Sequence, residues 1–233
     1  MAENSEAGVI ELTQAGFRYG DTDVLTDASL TLAPGSFQCL TGPSGSGKTT
    51  FLRLCYLALF PTSGGLSLWG RDARVMDRDE IAQARRRIGI MHQNCAFLDH
   101  LSVAENVALP LTVTGRRAAE AAGDLEDLLN WVGLSHRADA LPPELSGGER
   151  QRAALARAVI SAPDIILADE PTGNLDAEMA ERVLTLLIEL NRLGKAVLVA
   201  THDMELIRQA KRQVPTRVLR LRGGTLHTAG ADT

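Results

Sequence analysis

The chain has 233 residues, 45% of them apolar and 23% charged, which is enough for a substantial core in one or two domains. Twenty-four basic against 29 acidic residues leave a net charge of −5. That balance argues against a nucleic-acid binder held mainly by phosphate electrostatics. In chain order, short apolar runs at 9–12, 28–32 and 37–40 read as strands, with a turn at Ala33-Pro34-Gly35 before the third. The third run leads into Gly42-Pro43-Ser44-Gly45-Ser46-Gly47-Lys48-Thr49-Thr50, and residues 51–54 then read as helix. A further strand at 66–69 follows the turn Ser63-Gly64-Gly65, and another at 88–91 precedes Gln93. From about 103 to 140 the pattern turns helical, with apolar residues in 124–132 at the spacing of one helix face. Beyond it, strands at 165–168 and 196–200 alternate with helices at 150–159, 179–193 and 204–210. Such alternation implies parallel strands joined by right-handed helical crossovers.

The segment 42–50 matches the pattern G-x-x-x-x-G-K-[ST] at each fixed position, in the strand–loop–helix setting that its chemistry needs. Glycines let backbone N–H groups turn toward phosphates, and the helix start adds partial positive charge. Lys48 is then expected on the β/γ-phosphates and Thr49 on Mg²⁺. Asp169 and Glu170 end the strand at 165–168, at the carboxyl edge where ligands of open α/β sheets bind. Asp169 is placed to hold Mg²⁺, and Glu170 to orient or deprotonate a water. Ser146 and Glu149 form a capping box, but capping alone does not call for Gly147 and Gly148 between them. Glycines there would let a phosphate approach the helix start closely.

Four single residues complete the set. Gln93 follows a strand and could reach both metal and water, and His202 follows another and could bond the γ-phosphate. Tyr19 could stack on adenine, and Asp176 reads equally as a helix N-cap. Elsewhere the sequence is plain. Cys39, Cys55 and Cys95 lack metal or disulfide spacing and read as free thiols. Arg85-Arg86-Arg87 and Lys211-Arg212 read as solvated helix faces. The polar stretch from Met1 to Ala7 has no signal-peptide pattern, and no apolar run approaches the ~20 residues of a membrane span. The expectation is a chain that reaches a membrane only through a partner.

The order of these stations, phosphate loop, Gln93, Leu145-Ser146-Gly147-Gly148-Glu149, Asp169-Glu170, Gly173-Asn174-Leu175-Asp176 and His202, resembles the ATP-binding cassette (ABC) ATPases. That resemblance implies a P-loop NTPase core with a parallel sheet, an antiparallel β subdomain and an inserted α-helical subdomain. Residues 1–93 and 157–233 would form the core with its β subdomain, and about 94–156 the helical part. It further implies a head-to-tail homodimer around two ATP·Mg²⁺. Ser146, Gly147 and Gly148 would act on the nucleotide of the other subunit, with Asp176 at the dimer interface. Glu170, His202 and Gln93 become the catalytic candidates, and Thr49, Gln93 and Asp169 the metal-holding ones.

Within the family, the stretches 57–64, 85–89, 105–111 and 171–176 are similar to a cell-division branch. That branch implies an integral membrane partner, attachment to the cytoplasmic face of the bacterial inner membrane, and regulation of peptidoglycan hydrolysis. The alternative within the family is a lipoprotein-release or macrolide-export ATPase. His92-Gln93-Asn94-Cys95 departs from the branch pattern, which carries an aromatic before the glutamine and an aspartate after it. By the same resemblance, Phe97 and Leu98 are expected near the groove that receives the partner's cytoplasmic helix.

Overall fold

The computed structural model describes residues 8–113, 122–173 and 175–228. Strands Ile10–Tyr19 (β1) and Thr22–Leu32 (β2) form an antiparallel hairpin around Gly20, which sits at φ 56°. Inward positions Ala28, Leu30 and Leu32 alternate with exposed ones, the two-residue period of a half-buried sheet. Phe37–Thr41 (β3) runs through the phosphate loop into Lys48–Cys55 (α1). Ser63–Leu68 (β4) then pairs with β1, and the short Arg71–Asp72 (β5) closes that edge. Strands β1, β2, β4 and β5 make the antiparallel front of the molecule.

Arg78–Arg86 (α2) starts on an Asp77–Glu80 capping box and leads to Ile88–Met91 (β6). Val103–Val113 (α3), Ala122–Trp131 (α4) and Gly147–Val159 (α5) form the helical block. The chain returns to the sheet with Ile165–Asp169 (β7), Ala177–Arg192 (α6), Ala196–Ala200 (β8) and Met204–Gln213 (α7). It finishes with Thr216–Arg222 (β9) and Thr225–Thr228 (β10).

The strands form one sheet in the order β5-β4-β1-β2-β10-β9-β3-β8-β7-β6. From β9 to β6 every pairing is parallel. The short β10 joins the two halves, parallel to β2 and antiparallel to β9. Strands β3, β7 and β8 are buried at every position, as expected of parallel strands covered on both faces. Successive residues feed opposite cores. Cys39, Ile166, Ala168, Val197 and Val199 meet the helical block, α6 and α7. Leu40, Ile165, Leu167, Leu198 and Ala200 meet α1 and the antiparallel front.

Gly89 in β6 marks a close approach of sheet and helical block, since a Cβ there would run into the Ala158 carbonyl of α5. In-register pairing of Met91 with Ala168, Asp169 with Ala200 and Leu40 with Ala200 aligns the carboxyl ends of β6, β7, β8 and β3. The phosphate loop, Gln93, Glu170 and His202 leave the sheet from that one edge.

Candidate functional site

Gly47 caps α1 at φ 100°, in the left-handed region that glycine adopts without strain. A side chain there would also press on Val24, with its Cβ 3.0 Å away. The first turn of α1 has neither a side-chain cap nor an acidic residue, so its N–H groups remain available to an anion. Over this turn opens a cavity of about 610 Å³, lined by residues 43–50 with Val24, Gln93, Asp169, Glu170, Gly173 and His202. The sheet edge thus brings Lys48, Thr49, Gln93, Asp169, Glu170 and His202 together.

Lys48 is buried, with its Nζ donating to the carbonyls of Gly42 (2.9 Å) and Pro43 (3.3 Å) and standing 3.5 Å from Glu170 Oε1. Thr49 Oγ1 donates to Asp169 Oδ2 at 2.8 Å. Burial pushes the Asp169 carboxyl above its ordinary value, the Glu170 charge adds to this, and the Thr49 hydrogen bond works against it. Glu170 sits at φ 48°, an uncommon conformation for a non-glycine residue, with its N–H tied to the Ala200 carbonyl at 2.8 Å. Its Oε2 accepts from Thr201 Oγ1 at 3.1 Å, and its Oε1 lies 3.0 Å from His202 Nδ1. His202 is therefore on the carboxylate as well as on the cavity wall.

Hard oxygen donors, the Thr49 hydroxyl, the Asp169 carboxylate and the Gln93 amide, line one wall of a cavity whose floor is a phosphate loop. That donor set suits Mg²⁺, which takes few protein ligands and shares its shell with phosphates and water. No cluster of three or more His, Cys, Asp or Glu that could hold a metal exists among the described residues. The fit is to a phosphate-borne metal.

The remaining candidates lie elsewhere. Ser146 caps α5, accepting from Glu149 N at 3.3 Å while its own N–H donates to Glu149 Oε2 at 2.8 Å. Neither it nor Gly147 nor Gly148 lines the phosphate-loop cavity of its own chain. Asp176 caps α6 by accepting from Met179 N at 2.9 Å, and Asn174 lies outside the described residues. Tyr19, the last residue of β1, is 45% exposed and packs edge-on against Phe17 at 4.8 Å, off that cavity's wall.

Two residues escaped the sequence reading. Thr201 is fully buried on Glu170, and its signal was a polar residue directly after an apolar strand at the ligand-binding edge. Val24 lines the cavity from β2, and one aliphatic side chain in a strand carries no signal of its own.

A second cavity, about 550 Å³, is lined by residues of α2, β6, α3 and α5. Its walls include Ala82, Ile90, Pro110 and Val113 together with Arg85, Arg86, His92 and Arg157. The expectation for Phe97 and Leu98 divides. Phe97 is half-buried against the helical-block core with the guanidinium of Arg157 4.6 Å from its ring, whereas Leu98 is 44% exposed.

Residues 25–173 match the family model described as "ABC transporter". The chain is 39% identical over 190 residues to the cell division ATP-binding protein FtsE of Bacillus subtilis (strain 168), covering 82% of this chain and 83% of that protein. Among solved structures, it superposes on the ATP-binding cassette MJ0796 in a dimeric post-hydrolysis state bound to ADP and Pi. The TM-score is 0.84 at 32% identity, over 94% of this chain and 98% of that one. A second dimeric structure of MJ0796, described as a bacterial ABC transporter cassette, gives 0.83 at 33% identity over 94% and 96%. The sheet order, the phosphate-loop edge and these likenesses converge: the chain belongs to the ABC transporter family, as one of its ATP-hydrolysing domains.

Proposed function

We propose that this chain is the ATPase subunit of an FtsEX-like cell-division complex. It would close as a head-to-tail homodimer on ATP and act through an integral membrane partner resembling FtsX to regulate peptidoglycan hydrolysis. The observation that carries the reading is the 39% identity to FtsE across 82% of the chain. No helix among the described residues is long and apolar enough to cross a membrane, so attachment to the inner membrane's cytoplasmic face would run through that partner. Contacts with other division proteins would follow from the same placement.

In this reading Lys48 and the loop 42–50, through the backbone N–H groups of its non-proline residues, hold the phosphates, with Tyr19 on adenine. Thr49, Asp169 and Gln93 hold Mg²⁺, which supplies charge neutralisation at the phosphates when bound. Glu170 accepts the proton of the attacking water, with Thr201 and His202 fixing its carboxylate by the contacts described. Ser146, Gly147 and Gly148 complete the partner subunit's site, which agrees with their position off their own cavity. Asp176 lies at the interface between subunits.

The groove over β6 is the proposed seat of the membrane partner's cytoplasmic helix, with an apolar floor and a basic rim suited to an amphipathic segment. The test is copurification from bacterial membranes, comparing the natural chain with an Arg86→Glu, Val113→Ser variant. Both side chains are exposed, so the fold and ATP affinity should persist while membrane recovery falls. A lipoprotein- or drug-export permease in the natural complex would overturn the cell-division reading. Unchanged membrane recovery of the variant would place docking elsewhere.

A further inference from the structure

Gln93 reaches the phosphate-loop cavity from a loop whose shape its own sequence does not favour. Cys95 and Ala96 both take left-handed conformations, φ 55° and 46°, which non-glycine residues rarely adopt without support. Two short backbone bonds hold the turn locally, Cys95 N to His92 O at 3.0 Å and Ala96 N to Asn94 O at 2.6 Å. The rest of the support comes from Arg157, in the last turns of α5. Its Nη1 donates to the Ala96 carbonyl at 2.9 Å and its Nη2 to the Cys95 carbonyl, the two strained residues themselves. The same guanidinium lies 4.6 Å from the Phe97 ring centroid, so one planar cation holds three consecutive residues. No carboxylate among the described residues forms an ion pair with it, leaving its charge for the loop carbonyls.

We propose that Arg157 is a positioning residue for Gln93, clamping the loop 93–97 to the helix that Ser146 caps. One rigid helix then carries Gly147 and Gly148 at its start and the hold on Gln93 near its end. Arg157 also lines the groove over β6, so a segment seated there would lie against the clamp itself. The effect on hydrolysis rests on the role proposed above for Gln93, whereas the clamp stands on its own contacts.

The test uses the full chain with Arg157→Ala, Arg157→Lys, Gln93→Ala and the double variant Gln93→Ala, Arg157→Ala. Hydrogen exchange of the amides of residues 95–97 reads the clamp directly, and kcat and KM for Mg·ATP read its consequence. Arg157→Ala should speed exchange of these amides at least about tenfold and lower kcat about tenfold, with KM changed less than about threefold. Arg157→Lys keeps the charge but cannot reach both carbonyls and the ring together, so it should recover only part of each effect. Adding Arg157→Ala to Gln93→Ala should cost little more, because two residues acting as a unit are not additive. Should Arg157→Ala lower the melting temperature broadly, the lysine variant supplies the same readings in a folded chain. Unchanged loop exchange in both Arg157 variants would overturn the clamp. A full additional loss in the double variant would overturn its action through Gln93. Faster loop exchange alongside wild-type kcat in Gln93→Ala would instead remove Gln93 from hydrolysis and leave the clamp standing.

Discussion

Lys48 and Glu170 face each other across the cavity, Nζ 3.5 Å from Oε1, with about a tenth of each side chain exposed. The cation of the phosphate loop and the carboxylate at the end of β7 therefore share one buried contact. On the proposed role of Lys48, an incoming triphosphate would compete for that cation and would leave the Glu170 oxygen to Thr201, His202 and water. Lys48→Ala removes the charge that phosphates would displace from Glu170. A charge-assisted contact of this kind contributes about 1.5–3 kcal/mol, so affinity for Mg·ATP should fall roughly 10- to 150-fold. Equilibrium titration reads this, and wild-type affinity in the variant would dismiss Lys48 as a phosphate ligand.

Glu170→Gln keeps the shape of the side chain and its acceptor toward Thr201, but an amide cannot take the water's proton. Hydrolysis should drop about 10²- to 10⁴-fold with ATP binding retained. Stalled turnover should then accumulate an ATP-bound dimer on size exclusion. Near-normal turnover would give the base role to another residue.

The parallel half of the fold was legible because buried parallel strands leave continuous apolar runs, such as 165–168 and 196–200. Part of the candidate site was legible for a related reason: Asp169 and Glu170 follow the run 165–168 directly, and Gln93 and His202 lie two residues beyond 88–91 and 196–200, whereas Lys48 and Thr49 were read from the glycine pattern before them. Less could be read where burial is one-sided or slight. Helix α2 buries only Ala84 and so has no apolar period to find. In β9 the exposed Arg217, Arg220 and Arg222 interrupt Val218, Leu219 and Leu221, and β10 has no buried residue at all. Arg157 was invisible for a different reason. A basic residue inside an amphipathic helix looks like a solvated one until the loop it holds is folded against it.

Ser146 caps its helix and is proposed to face the partner subunit's phosphate, and one substitution separates the two roles. Aspartate is as good an N-cap as serine, so Ser146→Asp should leave the melting temperature nearly unchanged. Its negative charge would meet the incoming phosphate and oppose closure. ATP-induced dimers in a Glu170→Gln background should therefore disappear when Ser146→Asp is added, while ATP binding to the monomer persists. Dimers that survive would leave Ser146 with the capping role alone.

Glu149 ties the start of α5 together and gives it a pH dependence of definite sign. The backbone N–H of Ser146 contributes most, with the Ser146 hydroxyl and Arg137 adding to it, and together they hold the Glu149 carboxyl at about 2, from an ordinary 4.5. Arg137 Nε lies 2.9 Å from Glu149 Oε1, and the Glu149 side chain is 12% exposed. Because the folded value is depressed, the folded state binds fewer protons than the unfolded chain between these limits. The stabilisation is complete above about pH 4.5 and is lost as pH falls toward about 2. Glu149→Gln keeps the hydrogen-bonding shape but not the charge. The stability gap between the two proteins, from urea unfolding midpoints, should be constant from about pH 7 down to about pH 5 and narrow below that. A gap that stays the same down to about pH 3 would mean that the carboxylate charge does not secure this helix start.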